Sequence, residues 1–295
     1  MKPPTLTYRR KNLIWIWVFL LPAIVSFLAF YLWPIITLFY SSFTKWDGSN
    51  PQVFIGVRNY LNLFKSGAFI TSMKNLAIWV GLAATLHVGF SVLIAMYLYR
   101  KPFGGRFVRI IYMVPNIIAP AAWGMIYRFF YQQDIGVLNA IIRFFIPDYA
   151  VPWLYQSPYA MVAIILTWMF YGVIGTLIVL GDLNAIPPDL HEAARIDGAS
   201  EWQITTRINL PLARISIGTN MLLSLNARII MYELVLFTTN GGPGQDTWTL
   251  SFILTGAIQN NQYGYANAVG VIMFLLGLAV LLVVTKVMRT NESIY

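Results

Sequence analysis

Few residues in this chain are equipped for chemistry, and their types narrow what that chemistry is. The 295 residues include no cysteine and two histidines, which excludes a disulfide framework and a thiolate metal site. His87 and His191 stand apart, without metal-ligand company. No GxxxxGK[ST] run is present, so the chain has no phosphate loop of that kind for ATP. No set of acids or histidines is spaced as a catalytic constellation. Two groups of residues remain. One is the charged stretch 192–211, EAARIDGASEWQITTRINLP, between two hydrophobic runs. The other is a pair of ionisable residues, Arg228 and Glu233, inside an apolar run.

The elements around the first group are readable locally. Pro187-Pro188 is a helix start signal, because proline is tolerated in the first turn. Asp189 and Glu192 lie towards the positive end of that helix and Arg195 towards its negative end. Gly198 falls where a helix stops in a left-handed cap. Ser200-Glu201-Trp202-Gln203 offers a capping box for a second helix, running to about Asn209. Pro211 suits the first turn of a further helix or a kink.

Glu192, Ala193, Ala194, three residues, Gly198, nine residues, Ile208, one residue, Leu210 and Pro211 make a specific pattern. It resembles the cytoplasmic EAA loop of permease subunits in binding-protein-dependent ABC importers. With Ala-Arg-Ile-Asp-Gly-Ala-Ser inside the loop and Gly241-Gly242-Pro243-Gly244 further on, the chain resembles the maltose-type sugar permease family over residues 13 to 288. The resemblance implies that Glu192, Ala193, Ala194, Asp197 and Gly198 couple the chain to a separate ATPase. Small alanines would allow close approach, Glu192 would meet a basic partner, and Ile208 and Leu210 would anchor the second helix. The plain alternative is an amphipathic helical hairpin lying on a membrane, with Glu192 as a helix-dipole partner.

Composition reaches the membrane without that resemblance. The chain is 58% hydrophobic and 11% charged, against about 25% charged in an ordinary soluble domain. It reads as an all-α integral membrane protein. Six runs meet the requirement of about 20 apolar residues per crossing. They lie near 13–40, between Lys74 and Arg100, and near 109–130, 159–180, 212–238 and 265–287. Residues 1–12 and 289–295 read as tails, and 184–211 as the loop between the fourth and fifth spans. The first run is too long for a signal-peptide core. Pro22 and Pro34 are positioned to bend it, and Pro115 and Pro120 interrupt the third. Trp46-Asp47-Gly48 marks a turn, followed by a short amphipathic piece around 54–64.

Basic residues orient the chain. With the N-terminus inside, thirteen Lys and Arg fall on inner segments, six on outer ones, and Arg228 is left within a span. That asymmetry places both termini and the 184–211 loop in the cytoplasm. The net charge of +9 is then explained by an anionic inner leaflet rather than by nucleic acid.

An ionisable side chain at mid-span costs about 2.5–3.5 kcal/mol on insertion scales, which singles out Arg228 and Glu233. Arg228 either faces a translocation cavity and meets a substrate hydroxyl, carboxylate or phosphate, or pairs with an acid here or on a partner. Trp123, Trp168, Tyr171 and Tyr232 offer faces for a sugar, and Asn116 and Asn226 offer hydrogen bonds. Packing or an interfacial belt explains any one of the aromatics equally well. The resemblance places an acid commonly near Glu233, whereas Asn226-Ala227-Arg228 departs from the family's habit. The glycine-rich 238–244 segment resembles a feature of the first permease subunit, implying a binding-protein contact or a lid; a flexible turn would also explain it.

The resemblance implies a permease in the cell's inner membrane that is no enzyme and binds no cofactor or metal. A second permease, two copies of an ABC ATPase carrying ATP and Mg, an extracytoplasmic solute-binding protein and lipid would be its partners. A sugar or oligosaccharide would be the cargo. The competing reading is an ion-coupled secondary transporter of small polar solutes. That class needs mid-membrane ion sites and internal repeats; one intramembrane acid and no clear repeat speak against it.

Overall fold

A computed structural model describes residues 6–288; Lys2 and the tail from Arg289 lie outside the described residues. The chain is mostly helical and divides into two compact units, 6–63 with Gly256–Val271, and Phe64–Thr255 with 272–288.

In the first unit, residues 15–42 form one apolar helical run with its most apolar window wholly unburied. A π-turn, Leu28–Leu32, immediately precedes Trp33-Pro34. That widening accommodates a proline that has no N–H to give to the preceding turn. A short antiparallel hairpin follows, pairing Thr44 with Phe54 and Lys45 with Val53. Its turn is set by Asp47, whose carboxylate accepts the backbone N–H groups of Asn50 and Ser49 and the Asn50 amide. Those donors, the Asn50 backbone N–H foremost, hold the Asp47 carboxyl down at about 2. The expected amphipathic piece is the helix Arg58–Lys65. Its buried Asn59 donates to the carbonyls of Ser42 and Thr44, both at 2.8 Å.

In the second unit, Gly67–Tyr99 and Tyr159–Ala185 are long and apolar enough to span a membrane. Gly105–Ile117 and Pro120–Phe130 qualify only as a pair, bent by 105°. The bend falls where Ile118 and Ala119 are extended ahead of Pro120, the conformation that a following proline imposes. Tyr263–Met288 is the remaining apolar helix of spanning length among the described residues; it starts in the first unit and ends in the second. Four helices, or five crossings with the bent pair counted once, therefore meet the length and apolarity of a span.

The run expected at 212–238 is not among them. It is two helices, Arg214–Ile229 and Glu233–Thr238, separated at 230–232. Ser216, Asn220, Ser224, Asn226 and Arg228 lower the apolar character of the first, and the second has six residues. Arg228 and Glu233 thus do not share a helix.

Two apolar cores hold this unit together. Trp79, Ile164, Trp168, Leu225, Val235 and Val284 form one; Val88, Val92, Val179, Leu183 and Ala213 are among those forming the other. A polar lock joins three helices where they run closest. Asn220 Nδ2 donates to Ser91 Oγ at 2.6 Å, Ser224 Oγ donates to Asn220 Oδ1 at 3.2 Å, and Thr176 Oγ1 donates to the Ser91 carbonyl at 3.0 Å. Gly175 sits against the Asn220 amide with no room for a Cβ. Small residues permit such approach between spanning helices, where interhelical hydrogen bonds add to packing.

Candidate functional site

The charged stretch folds as its spacing predicts. Pro188–Ile196 is a helix with Pro188 at its start, Asp189 in its first turn and Arg195 in its last. It ends in a Schellman motif: Ala199 N–H donates to the Ala194 carbonyl, Gly198 N–H to the Arg195 carbonyl, and Gly198 has φ +80°. The second helix opens at Glu201 behind a complete capping box. Ser200 Oγ accepts Gln203 N–H, and Gln203 Oε1 accepts Ser200 N–H at 2.7 Å. It continues through a π-turn, Thr205–Asn209, into Leu210–Leu212.

Glu192, Ala193, Asp197 and Gly198 are exposed and Ala194 is half-buried. Behind them, buried His191 and Asn209 are joined Nε2 to Oδ1 at 2.7 Å, tying the first helix to the second. Arg195 and Glu201 form an ion pair at 3.0 Å across the turn, exposed and therefore worth little. Leu210 packs against the second core as expected, and Ile204, which the motif spacing did not mark, is more deeply buried at 2% exposed. Ile196 and Trp202 are 86% and 74% exposed. Two large apolar side chains thus stand beside an anion and two small residues on one projecting knob.

The second site is a cavity of about 390 Å³. Asn116, Trp123, Trp168, Tyr171, Arg228, Tyr232 and Glu233 all line it. Asn226 does not: its amide donates to the Leu222 carbonyl, and its oxygen lies towards Gly277. Three chain interruptions bring the lining together: the 105° bend, the 170–172 break within Tyr159–Ala185, and the 230–232 break.

The 170–172 break is held from two sides. His87 Nδ1 lies 3.0 Å from the Trp168 carbonyl and 3.1 Å from the Met169 carbonyl, so this nitrogen carries the proton and donates. Gly172 N–H donates to Tyr112 Oη at 2.9 Å. The carbonyls and the N–H that a broken helix leaves over are thereby satisfied.

Aromatic faces build the walls. Trp123 stacks on Tyr171 with ring centres 5.3 Å apart, and its N–H donates to the Thr167 carbonyl at 3.2 Å. The Arg228 guanidinium lies over the Trp168 ring, its carbon 4.2 Å from the ring centre. Its Nη1 reaches only the Met231 sulfur, at 3.9 Å. Arg228 Nε, Trp168 Nε1 and Tyr171 Oη are buried without a hydrogen-bond partner. Glu233 is exposed, at the start of its short helix. The lining suits binding of an oxygen-rich, partly apolar solute. One carboxylate does not make a hydrolytic pair, and no group of three or more metal-ligating side chains occurs among the described residues.

The glycine-rich segment is ordered by contacts. Thr239 and Thr247 hydroxyls meet at 2.7 Å, Thr247 Oγ1 donates to the Gly242 carbonyl, and Asn75 donates to the carbonyls of Asp246 and Trp248.

Residues 63–291 match the model of the family described as "Binding-protein-dependent transport system inner membrane component". Among curated proteins, the chain is 27% identical to the probable ABC transporter permease protein YurN of Bacillus subtilis, over 96% of this chain and 99% of that protein. It is 29% identical to the probable starch degradation products transport system permease protein AmyD of Thermoanaerobacterium thermosulfurigenes, over 90% and 91%. It is 28% identical to the trehalose/maltose transport system permease protein MalF of Thermococcus litoralis, over 98% and 97%. Its fold matches a chain of a bacterial alginate ABC transporter crystallised with an alginate pentasaccharide-bound periplasmic protein. That match has a TM-score of 0.81 and 23% identity, covering 98% of this chain and 99% of that one.

Proposed function

The chain belongs to the family of binding-protein-dependent transport system inner membrane components, and from that premise we propose that it is one of two permeases forming a path for a sugar or oligosaccharide. Relatives named for starch degradation products and for trehalose and maltose support the sugar class. The cargo arrives on an extracytoplasmic solute-binding protein. Two ABC ATPase subunits, carrying ATP and Mg, supply the energy, and this chain binds no cofactor of its own. The knob at 188–209 docks on an ATPase subunit from the cytoplasmic side, with both chain termini on that side, as the thirteen-to-six charge split favours. Arg214–Ile229 and Glu233–Thr238 together serve as the sixth crossing.

One observation carries the reading: the residues of the importer pattern stand exposed on a rigid projection, capped at both of its inner helix ends and tied from behind by His191 and Asn209. A surface so stiffened transmits a push rather than absorbing it. The test uses the complete assembly in proteoliposomes. Uptake of a labelled malto-oligosaccharide or other sugar held by the cognate binding protein is expected to need ATP and to stop when that protein is omitted. The chain has no cysteine, so Ala193→Cys introduces a unique thiol. It is expected to cross-link to an ATPase subunit. A thiol reachable only from the extracytoplasmic side, or one that never meets the ATPase, would overturn the docking.

A further inference from the structure

Arg228 is a cation with no acid paired to it among the described residues. The only ion pair among the described residues is Arg195–Glu201, far along the chain in the knob. Trp168 holds the guanidinium by its face, and Met231 sulfur touches one end. Neither accepts the proton of Nε, which is buried and unmatched. Trp168 Nε1 and Tyr171 Oη, also unmatched, line the same space. A buried unsatisfied donor is costly, and three at one cavity point to a ligand that supplies acceptors. The buried, unmatched polar groups here are one cation, one indole N–H and one phenol, and Asn116 and Tyr232 also line the space. Glu233 is the single acid of the lining, and it does not cancel that bias. It is exposed, whereas Arg228 Nε is buried.

We infer that this cavity takes the anionic group of its cargo, so that the saccharide it passes carries a carboxylate. This rests on the cavity lying on the translocation path. A carboxylate offers about four lone-pair sites, enough to accept from the guanidinium and a neighbouring donor together. A neutral sugar hydroxyl offers two lone pairs and one donor but no charge, and leaves the cation uncompensated. The aromatic walls of Trp123 and Tyr171 receive the ring's C–H faces. Because Nε is buried and the side chain half-buried in the cavity wall, salt screens its attraction less than that of basic groups on the surface.

The test measures equilibrium binding to the complete permease–ATPase complex in nanodiscs, without the solute-binding protein. The probes are trigalacturonate, its methyl ester and maltotriose. Wild type is expected to bind the acid about tenfold or more tightly than the ester, as a charge-assisted hydrogen bond warrants. The preference is expected to survive a rise from about 0.1 to about 0.5 M salt. Arg228→Gln is expected to bring acid and ester within about twofold, while Arg228→Lys retains part of the difference. Equal binding of acid and ester by wild type overturns the inference, without need of any variant, and leaves the cavity as a path for neutral sugars. An undiminished acid preference in Arg228→Gln also overturns it, by placing the anion elsewhere. A wild-type complex that binds none of the three overturns both this inference and the assignment of the cavity to the path.

Discussion

Two glycines constrain the molecule for opposite reasons. At Gly198 the backbone has φ +80°, yet the place of a Cβ is open, with no atom within 4 Å. Any side chain there costs only its backbone strain within this chain, about 1–2 kcal/mol for an ordinary residue. Gly198→Val is expected to deform the Schellman turn and raise ATP hydrolysis relative to sugar uptake. Gly198→Asn, which tolerates the left-handed region, is expected to keep the two in step. Uptake and hydrolysis measured on the same proteoliposomes decide it; failure of both variants would place the cause in contact with the ATPase instead. At Gly175 the difficulty is space, since a Cβ meets the Asn220 amide. Gly175→Ala is expected to cost about 1–3 kcal/mol by overpacking. Asn220→Ala relieves the collision while losing the Ser91 and Ser224 bonds, so the double variant should cost less than the sum of the singles. Additive losses in denaturation of the detergent-purified protein would refute that coupling.

At the scale of elements, the cavity exists because helices break, and each break has its own legibility. The 105° bend was announced by Pro115 and Pro120, and the knob by a proline pair, a glycine and a four-residue capping box. These are local signals, settled within one or two turns. The 170–172 break carries Gly172 but is held by His87 and Tyr112, which lie 81 and 60 residues away from the groups they bond. His87 looked isolated in the sequence for that reason. The 230–232 break has neither proline nor glycine, so a continuous helix from 212 to 238 was the natural expectation. Seven of the eight suspected lining residues nevertheless meet at one cavity, because aromatic, amide and charged residues inside apolar runs are those least suited to lipid. His87→Ala removes the donor shared by two carbonyls, which is expected to cost about 1–3 kcal/mol. It should impair uptake while leaving the Ala193→Cys cross-link to the ATPase intact. Tyr112→Phe, losing one acceptor, should do the same more weakly. Loss of the cross-link in either variant would show that the break and the knob are not mechanically separate.

For the whole molecule, membrane residence followed from composition alone, because 11% charge cannot clothe a soluble surface of this length. The number of crossings did not follow so simply. Four apolar helices and one bent pair meet the length rule, and the element that decides the sixth crossing is polar where it packs. Ser216, Asn220 and Ser224 are buried there, with Asn220 bonded to Ser91 of another helix, so hydropathy, which assumes lipid contact, understates its fitness to span. If Arg214–Ile229 and Glu233–Thr238 cross together, Arg207 before them and Gln245 after them lie on opposite sides. Both are exposed, and neither belongs to the cavity. In spheroplasts, a membrane-impermeant maleimide is expected to label Gln245→Cys at once and Arg207→Cys only after permeabilisation. Labelling of both from one side would make the pair a re-entrant loop. The C-terminus would then lie opposite the N-terminus, and the charge asymmetry that oriented the chain would no longer hold.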